Sequence, residues 1–151
     1  MLGPRPATQR GAKDPQEDRM PPPSGKKEQR DTRNAELEAE ADRLSLLTLP
    51  QLAAEVMTKV FPDVPRYDDN GGYPGLGQIV SRFAPGTSHR DEKLLQRFRE
   101  LVGEGLQVLE HASLVRGPVA TSGGDGYTAT RLGRDALERG AVDRIIAGGS
   151  L

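Results

Sequence analysis

Between Asp91 and Ala112 apolar residues return every three or four positions: Leu94, Leu95, Phe98, Leu101, Val102, Leu106, Leu109 and Ala112. At 100° per residue they cover an arc of roughly 140°, a stripe that a helix can keep from water only by packing on a core. Ser88-His89-Arg90-Asp91 offers a hydroxyl N-cap with a carboxylate three residues on, so a long helix is expected over 89–112. Gly103 and Gly105 fall in its middle and leave open a single helix, a kinked one or two. Leu114-Val115-Arg116 and Gly126-Tyr127-Thr128-Ala129 then flank Thr121-Ser122-Gly123-Gly124-Asp125, two short extended runs around a flexible tip. A further helix is expected from Thr130 onward, through Leu132, Ala136 and Leu137. The chain is thus expected to be α+β and mostly helical, with one small hairpin.

What precedes this stretch divides by composition. Residues 1–33 hold six of the twelve prolines, five hydrophobic residues, eight basic and five acidic side chains. Such a segment buries too little apolar surface to offset its ordering entropy, and a disordered, solubilising tail is expected. Met20 is an alternative start to Met1. Residues 34–47 read as a leading helix capped by Asn34, with Glu36, Glu38 and Glu40 near the positive end of its dipole. Leu37, Leu44 and Leu47 fall on one stripe, which either lies on the chain's own domain or forms a homodimer contact. Thr48-Leu49-Pro50-Gln51 is a second helix start, a capping box with proline in the first turn, and Leu52, Val56, Val60 and Phe61 extend it over 50–61. Pro62 and Pro65 stop it, a turn-rich stretch follows to Gly77, and Leu76, Ile79, Val80 and Phe83 mark a third short helix. The main domain is expected over 48–147, with 148–151 a flexible C-terminus.

This order, two short helices, a longer one, a hairpin and a closing helix, resembles a winged helix-turn-helix with a two-stranded wing. The residues that carry the likeness are Leu106-Gln-Val-Leu109, Leu114-Val115 and the run Tyr127-Thr-Ala-Thr130-Arg-Leu132-Gly133-Arg-Asp-Ala136-Leu137. They are similar to the recognition helix, wing and closing helix of bacterial MarR- and PadR-type regulators. The resemblance implies double-stranded DNA as partner, transcriptional regulation as role, and a homodimer. Fold likeness specifies function poorly. Independently of it, Leu114 and Val115 suit a strand start, Tyr127 anchors the returning strand, Thr130 caps the last helix and Gly133 permits close helix–strand approach.

In such a domain the exposed face of the long helix meets DNA. Arg90, Lys93 and Arg97 recur there at i, i+3 and i+7, and Thr87 and Ser88 at the helix start add donors for a phosphate. Arg116 at the hairpin base and Arg131 on the last helix complete the candidate DNA-binding set, with Arg134 near them. Glu100 and Glu104 continue the same stripe and would repel DNA. A solvated face with internal ion pairs accounts for the same residues. Residues 44–151 hold 12 basic and 13 acidic side chains, which favours the alternative of a winged-helix protein-interaction module without DNA contact.

Other chemistry has little support. The chain has no cysteine, and its two histidines, His89 and His111, are too few for a metal site. Ser88-His89 adjacency is no catalytic arrangement, and Asp68-Asp69-Asn70 lacks the spacing of a calcium loop. The Gly-rich stretch 71–77 has neither a Gly-Lys-Ser/Thr ending nor a preceding strand, so it is no phosphate loop. No enzyme and no cofactor are expected. No apolar run approaches a membrane span and no secretory signal is visible, so a cytoplasmic protein is expected.

Overall fold

The structure is a computed structural model that describes residues 24–63, 73–87, 91–121 and 124–151. Its elements are α1 (Ser24–Ser45), α2 (Leu49–Val60), a 3-10 turn (Phe61–Asp63), α3 (Leu76–Phe83), α4 (Glu92–His111), β1 (Val115–Thr121), β2 (Gly124–Ala129), α5 (Arg131–Arg139) and α6 (Val142–Ile146). The chain is α+β and mostly helical, and β1 and β2 form a two-stranded antiparallel sheet. Among the described residues no helix is long and apolar enough to cross a membrane.

By its contacts the chain divides into residues 1–35 and 36–151. In the first unit the described residues belong to α1, which begins at Ser24 rather than at Asn34, so the last residues of the expected tail are helical. Lys26, Lys27, Glu28, Gln29 and Arg30 are good helix formers, and Lys27 and Asp31 sit at i, i+4. Extending an existing helix costs far less than nucleating one. Gly25 to Arg33 are all exposed. The expectation of disorder for residues 1–23 lies outside the described residues.

The second unit is built on local signals that the sequence carries openly. Thr48 caps α2 by accepting the Gln51 N–H at 3.3 Å, and the Gln51 side chain accepts the Thr48 N–H at 3.0 Å, so the capping box is complete. Leu52, Ala53, Val56, Met57 and Val60 are its buried face. On α3 the buried residues are Ile79, Val80 and Phe83, and the Lys59 ammonium lies 5.0 Å from the centre of the Phe83 ring, a cation–π contact between α2 and α3.

α4 is the central helix, packed on α2, α3 and β1. It starts at Glu92, with Asp91 flanking it; Ser88, the expected cap, lies outside the described residues. Leu94, Phe98, Leu101, Val102, Leu106 and Leu109 are buried as the arc requires, and the helix runs unbroken through Gly103 and Gly105. Gly105 serves close packing: a Cβ there would stand 2.8 Å from Val56 Cγ2 on α2.

The leucine stripe of α1 is packed within the chain itself. Leu44 is fully buried, Leu37 is 8% exposed and Leu47 packs partly against the same core, whereas Leu46 stands out at 87% exposure. Leu37 and Leu44 are thus turned into the chain's own core, as in the reading of a helix that lies on its own domain.

The hairpin is longer than the sequence suggests. Thr121 pairs with Gly124 and Ala120 with Asp125, so residues expected in the tip are ladder residues; Ser122 and Gly123 lie outside the described residues. The ladder is irregular between Arg116 and Val119, where Pro118 has no N–H to donate. Val115 and Ala129 pair and turn into the core. After the sheet, Thr130 caps α5 by accepting the Gly133 N–H at 2.9 Å, and its own hydroxyl donates to the Ser113 carbonyl at 2.6 Å.

Candidate nucleic-acid interface

Two groups of cations are legible as a candidate interface, one on the long helix and one at the hairpin root, and their fates differ. On α4, Lys93 is exposed in the first turn. Arg97 is not part of a free row: its guanidinium donates to Asp42 of α1 at 2.5 Å and to the Ser45 hydroxyl at 3.4 Å. Arg99 is paired with Glu92 at 2.7 Å and with Gln96 at 3.2 Å. The rest of the exposed face of α4 carries Glu100, Glu104, Gln107, Glu110 and His111. Its electrostatic character beyond the first turn is therefore acidic. Thr87 is half-buried and its hydroxyl donates to the Ala84 carbonyl at 2.7 Å, holding the turn after α3. Ser88 and Arg90 lie outside the described residues.

At the hairpin root the arginines come together. Arg116 on β1 stands directly opposite Thr128 on β2. Since neighbours along a strand face opposite ways, both are on the face turned away from Val115 and Ala129. α5 starts immediately after β2, and its first turn presents Arg131 and then Arg134 at i, i+3. The Arg134 Nη2 donates to the Ala129 carbonyl at 3.2 Å and to the Thr128 hydroxyl at 3.4 Å, which pins the guanidinium over the sheet. Arg116, Arg131, Arg134, Thr128, Tyr73 and Asp135 line an open cleft of about 870 Å³. None of the three arginines makes an ion pair among the described residues.

Tyr73 reaches the cleft through backbone geometry. The Tyr127 N–H donates to the Pro74 carbonyl at 2.9 Å, laying residues 73 and 74 along the free edge of β2. Gly126 makes the approach feasible, because a Cβ at that position would stand 2.2 Å from the Tyr73 carbonyl oxygen. Tyr127 itself is half-buried across the hairpin against Gly117, and burial together with the Glu110 carboxylate pushes its phenol above the ordinary tyrosine range.

A third group is structural. Arg43 forks onto both oxygens of Glu40 (2.7 and 2.8 Å) and both of Glu55 (2.9 and 2.8 Å), tying α1 to α2. Arg43's hydrogen bonds hold both carboxyls below the usual carboxylate range, against the opposing effect of desolvation. With Asp42–Arg97, α1 is thus held to α2 and α4 by adjacent residues.

The structure therefore brings Arg116 and Arg131 to one cleft with Arg134, whereas Arg97 is paired with Asp42 and is not among the residues that line it. Thr128 and Tyr73 are absent from the set that the sequence suggests. The hairpin register would have placed Thr128 opposite Arg116, but no local signal places Tyr73, which is brought in from a distant segment. No family model, curated protein or solved structure matches the chain.

Proposed function

We propose that this chain is a winged helix-turn-helix protein that binds double-stranded DNA, acting in the cytoplasm as a bacterial transcriptional regulator. Support for the fold comes from the element order α2, α3, α4, hairpin, α5, and from the edge that Tyr73–Pro74 adds to β2 just before α3. The observation that carries the DNA reading is the group of arginines at the hairpin root that have no carboxylate partner among the described residues. Unneutralised guanidinium groups beside a hairpin and an adjoining helix start suit phosphate contacts, which fix a protein on the duplex. In this reading Lys93, with Thr87, Ser88 and Arg90 before it, contacts the backbone at the start of α4. Arg116 and Arg131 contact it at the hairpin root. In this reading the protein acts as a homodimer.

The second reading, a winged-helix module for protein contacts, is favoured by one observation: Glu100, Glu104 and Glu110 are exposed on α4 while Arg97 is paired with Asp42. Binding of a labelled mixed-sequence duplex, followed by fluorescence anisotropy at several salt concentrations, separates the two. Replacing Lys93, Arg116 and Arg131 together by Gln should weaken binding and reduce the slope of log affinity against log salt by up to about 3, near one unit per lost contact. Arg97→Gln should leave the slope almost unchanged, because its charge is already paired. A folded wild-type protein with no affinity for DNA at ~50 mM salt lacks even the non-specific electrostatic attraction, and the interaction module then replaces the DNA reading.

A further inference from the structure

The cleft at the hairpin root has a shape that duplex contact does not require. Its floor is the sheet face, where Thr128 is only 4% exposed and Arg134 is half-buried; Arg116 and Arg131 are exposed at the rim. A duplex backbone meets cations that protrude, and it does not descend to a recessed floor. A small ligand does.

The donors left over in the cleft decide what kind. A guanidinium carries five N–H donors, two of them on each terminal nitrogen. The two hydrogens on Nη2 of Arg134 serve the Ala129 carbonyl and the Thr128 hydroxyl. Nε and Nη1 have no partner among the described residues, so Arg134 is anchored on one side and open on the other. Thr130 offers nothing more, since its hydroxyl donates to Ser113 and accepts from Gly133. The start of α5 adds a favourable dipole for an anion. Among the described lining residues the formal charge is three arginines against Asp135, and Asp135 makes no ion pair with any of them. One carboxylate, with two oxygens in a plane, is satisfied by a single guanidinium fork. Three guanidinium groups on one cleft call for a group with more oxygens and two charges. At about 870 Å³ the cleft is within the range for small organic ligands, roughly 300–1,000 Å³, and larger than a bare anion needs.

We propose that this cleft is a binding site for a small phosphorylated organic molecule, its phosphate dianion held by Arg134 at the floor and by Arg116 and Arg131 at the rim. The proposal does not rest on DNA binding, and its test contains no DNA.

The test is a ¹⁵N–¹H NMR titration of the full chain in low-chloride buffer with ribose 5-phosphate, inorganic phosphate and succinate as separate probes. Ribose 5-phosphate should shift the amides of Thr128 to Arg134 saturably, with half-saturation at about 1 mM or below and tighter than inorganic phosphate. Arg116→Gln and Arg131→Gln should each weaken it by about tenfold, the loss expected for one charge-assisted contact. Arg134→Gln should abolish it; should that variant fail to fold, the two exposed rim variants decide the question. Arg139→Gln, at the far end of α5, should leave binding unchanged. The proposal is overturned if no saturable shift occurs by about 10 mM of either phosphate probe. It is equally overturned if succinate binds as tightly, which would mean a carboxylate site, or if Arg139→Gln weakens binding as much as Arg116→Gln, which would mean diffuse charge attraction.

Discussion

Gly133→Ala and Gly103→Ala place the same methyl group in two helices of this protein, and the structure assigns them opposite signs. At Gly133, in the first turn of α5, an added Cβ would stand 2.1 Å from the Leu114 carbonyl oxygen and 3.0 Å from both the Leu114 carbonyl carbon and Met57 Cε. The first of these is backbone and cannot swing aside. Relief requires α5 to retreat from the turn between α4 and β1. That turn is held by the Thr130 N–H on the Leu114 carbonyl at 3.0 Å and by the Thr130 hydroxyl on Ser113 at 2.6 Å. Overpacking costs about 1–3 kcal/mol, and each loosened hydrogen bond about 1 kcal/mol more. Alanine's better helix propensity returns about 1 kcal/mol, leaving a net loss of about 2–4 kcal/mol. At Gly103, on α4, a Cβ meets nothing within 4 Å, so only the propensity gain remains, about 0.5–1 kcal/mol of stabilisation. Urea melts of both variants at constant m-value read the difference directly. If Gly133→Ala melts within about 1 kcal/mol of wild type, or no lower than Gly103→Ala, the close contact of α5 with Leu114 is refuted.

The other expectations are simpler. Leu109 is fully buried, and Leu109→Ala should cost about 2–5 kcal/mol in a urea melt; a loss under about 1 kcal/mol would mean that the register of α4 is different. Gly126→Ala should detach the Tyr73–Pro74 edge from β2, seen as faster exchange of the Tyr127 amide, because the added Cβ would stand 2.2 Å from the Tyr73 carbonyl oxygen; unchanged exchange would contradict that close packing. Glu40 and Glu55 have folded-state pKa values below their unfolded ones, so their contribution is complete above an unfolded value of about 4.3 and is lost as pH falls through the lower folded values. Because Arg43 is 47% exposed, the amount is at most about 1 kcal/mol. Arg43→Met should remove that part of the acid dependence, and melts between pH 5 and 3 that still fall as steeply as wild type would count against the pairing.

The elements that the sequence announces are those whose signals are local. Thr48 and Gln51, or Thr130 and Gly133, are three residues apart, so the chemistry of a cap is complete within one helical turn. The apolar arc of α4 needs only its own periodicity, and the buried residues match it. The start of α1 is hard to place from sequence because charged helix formers without an apolar face resemble a tail until something anchors the helix beyond them. The hairpin reads as too short because a Gly-rich run of small polar residues looks like a tip whether or not a partner strand pairs with it.

The candidate site is decided by tertiary structure. Periodicity says which face of α4 is wet, but not what stands across from it: Asp42, 55 residues from Arg97 along the chain, pairs with it and ties α1 to α4. The same holds at the hairpin root. Arg116, Arg131 and Arg134 are ordinary surface arginines in the sequence, and Tyr73 carries no signal at all. They share one cleft because the ladder sets Arg116 across from Thr128, α5 starts where β2 ends, and Gly126 lets a distant backbone lie against the strand. Helix periodicity and capping act within a few residues; which charges meet depends on how packed elements are angled, and that is settled only when the core closes.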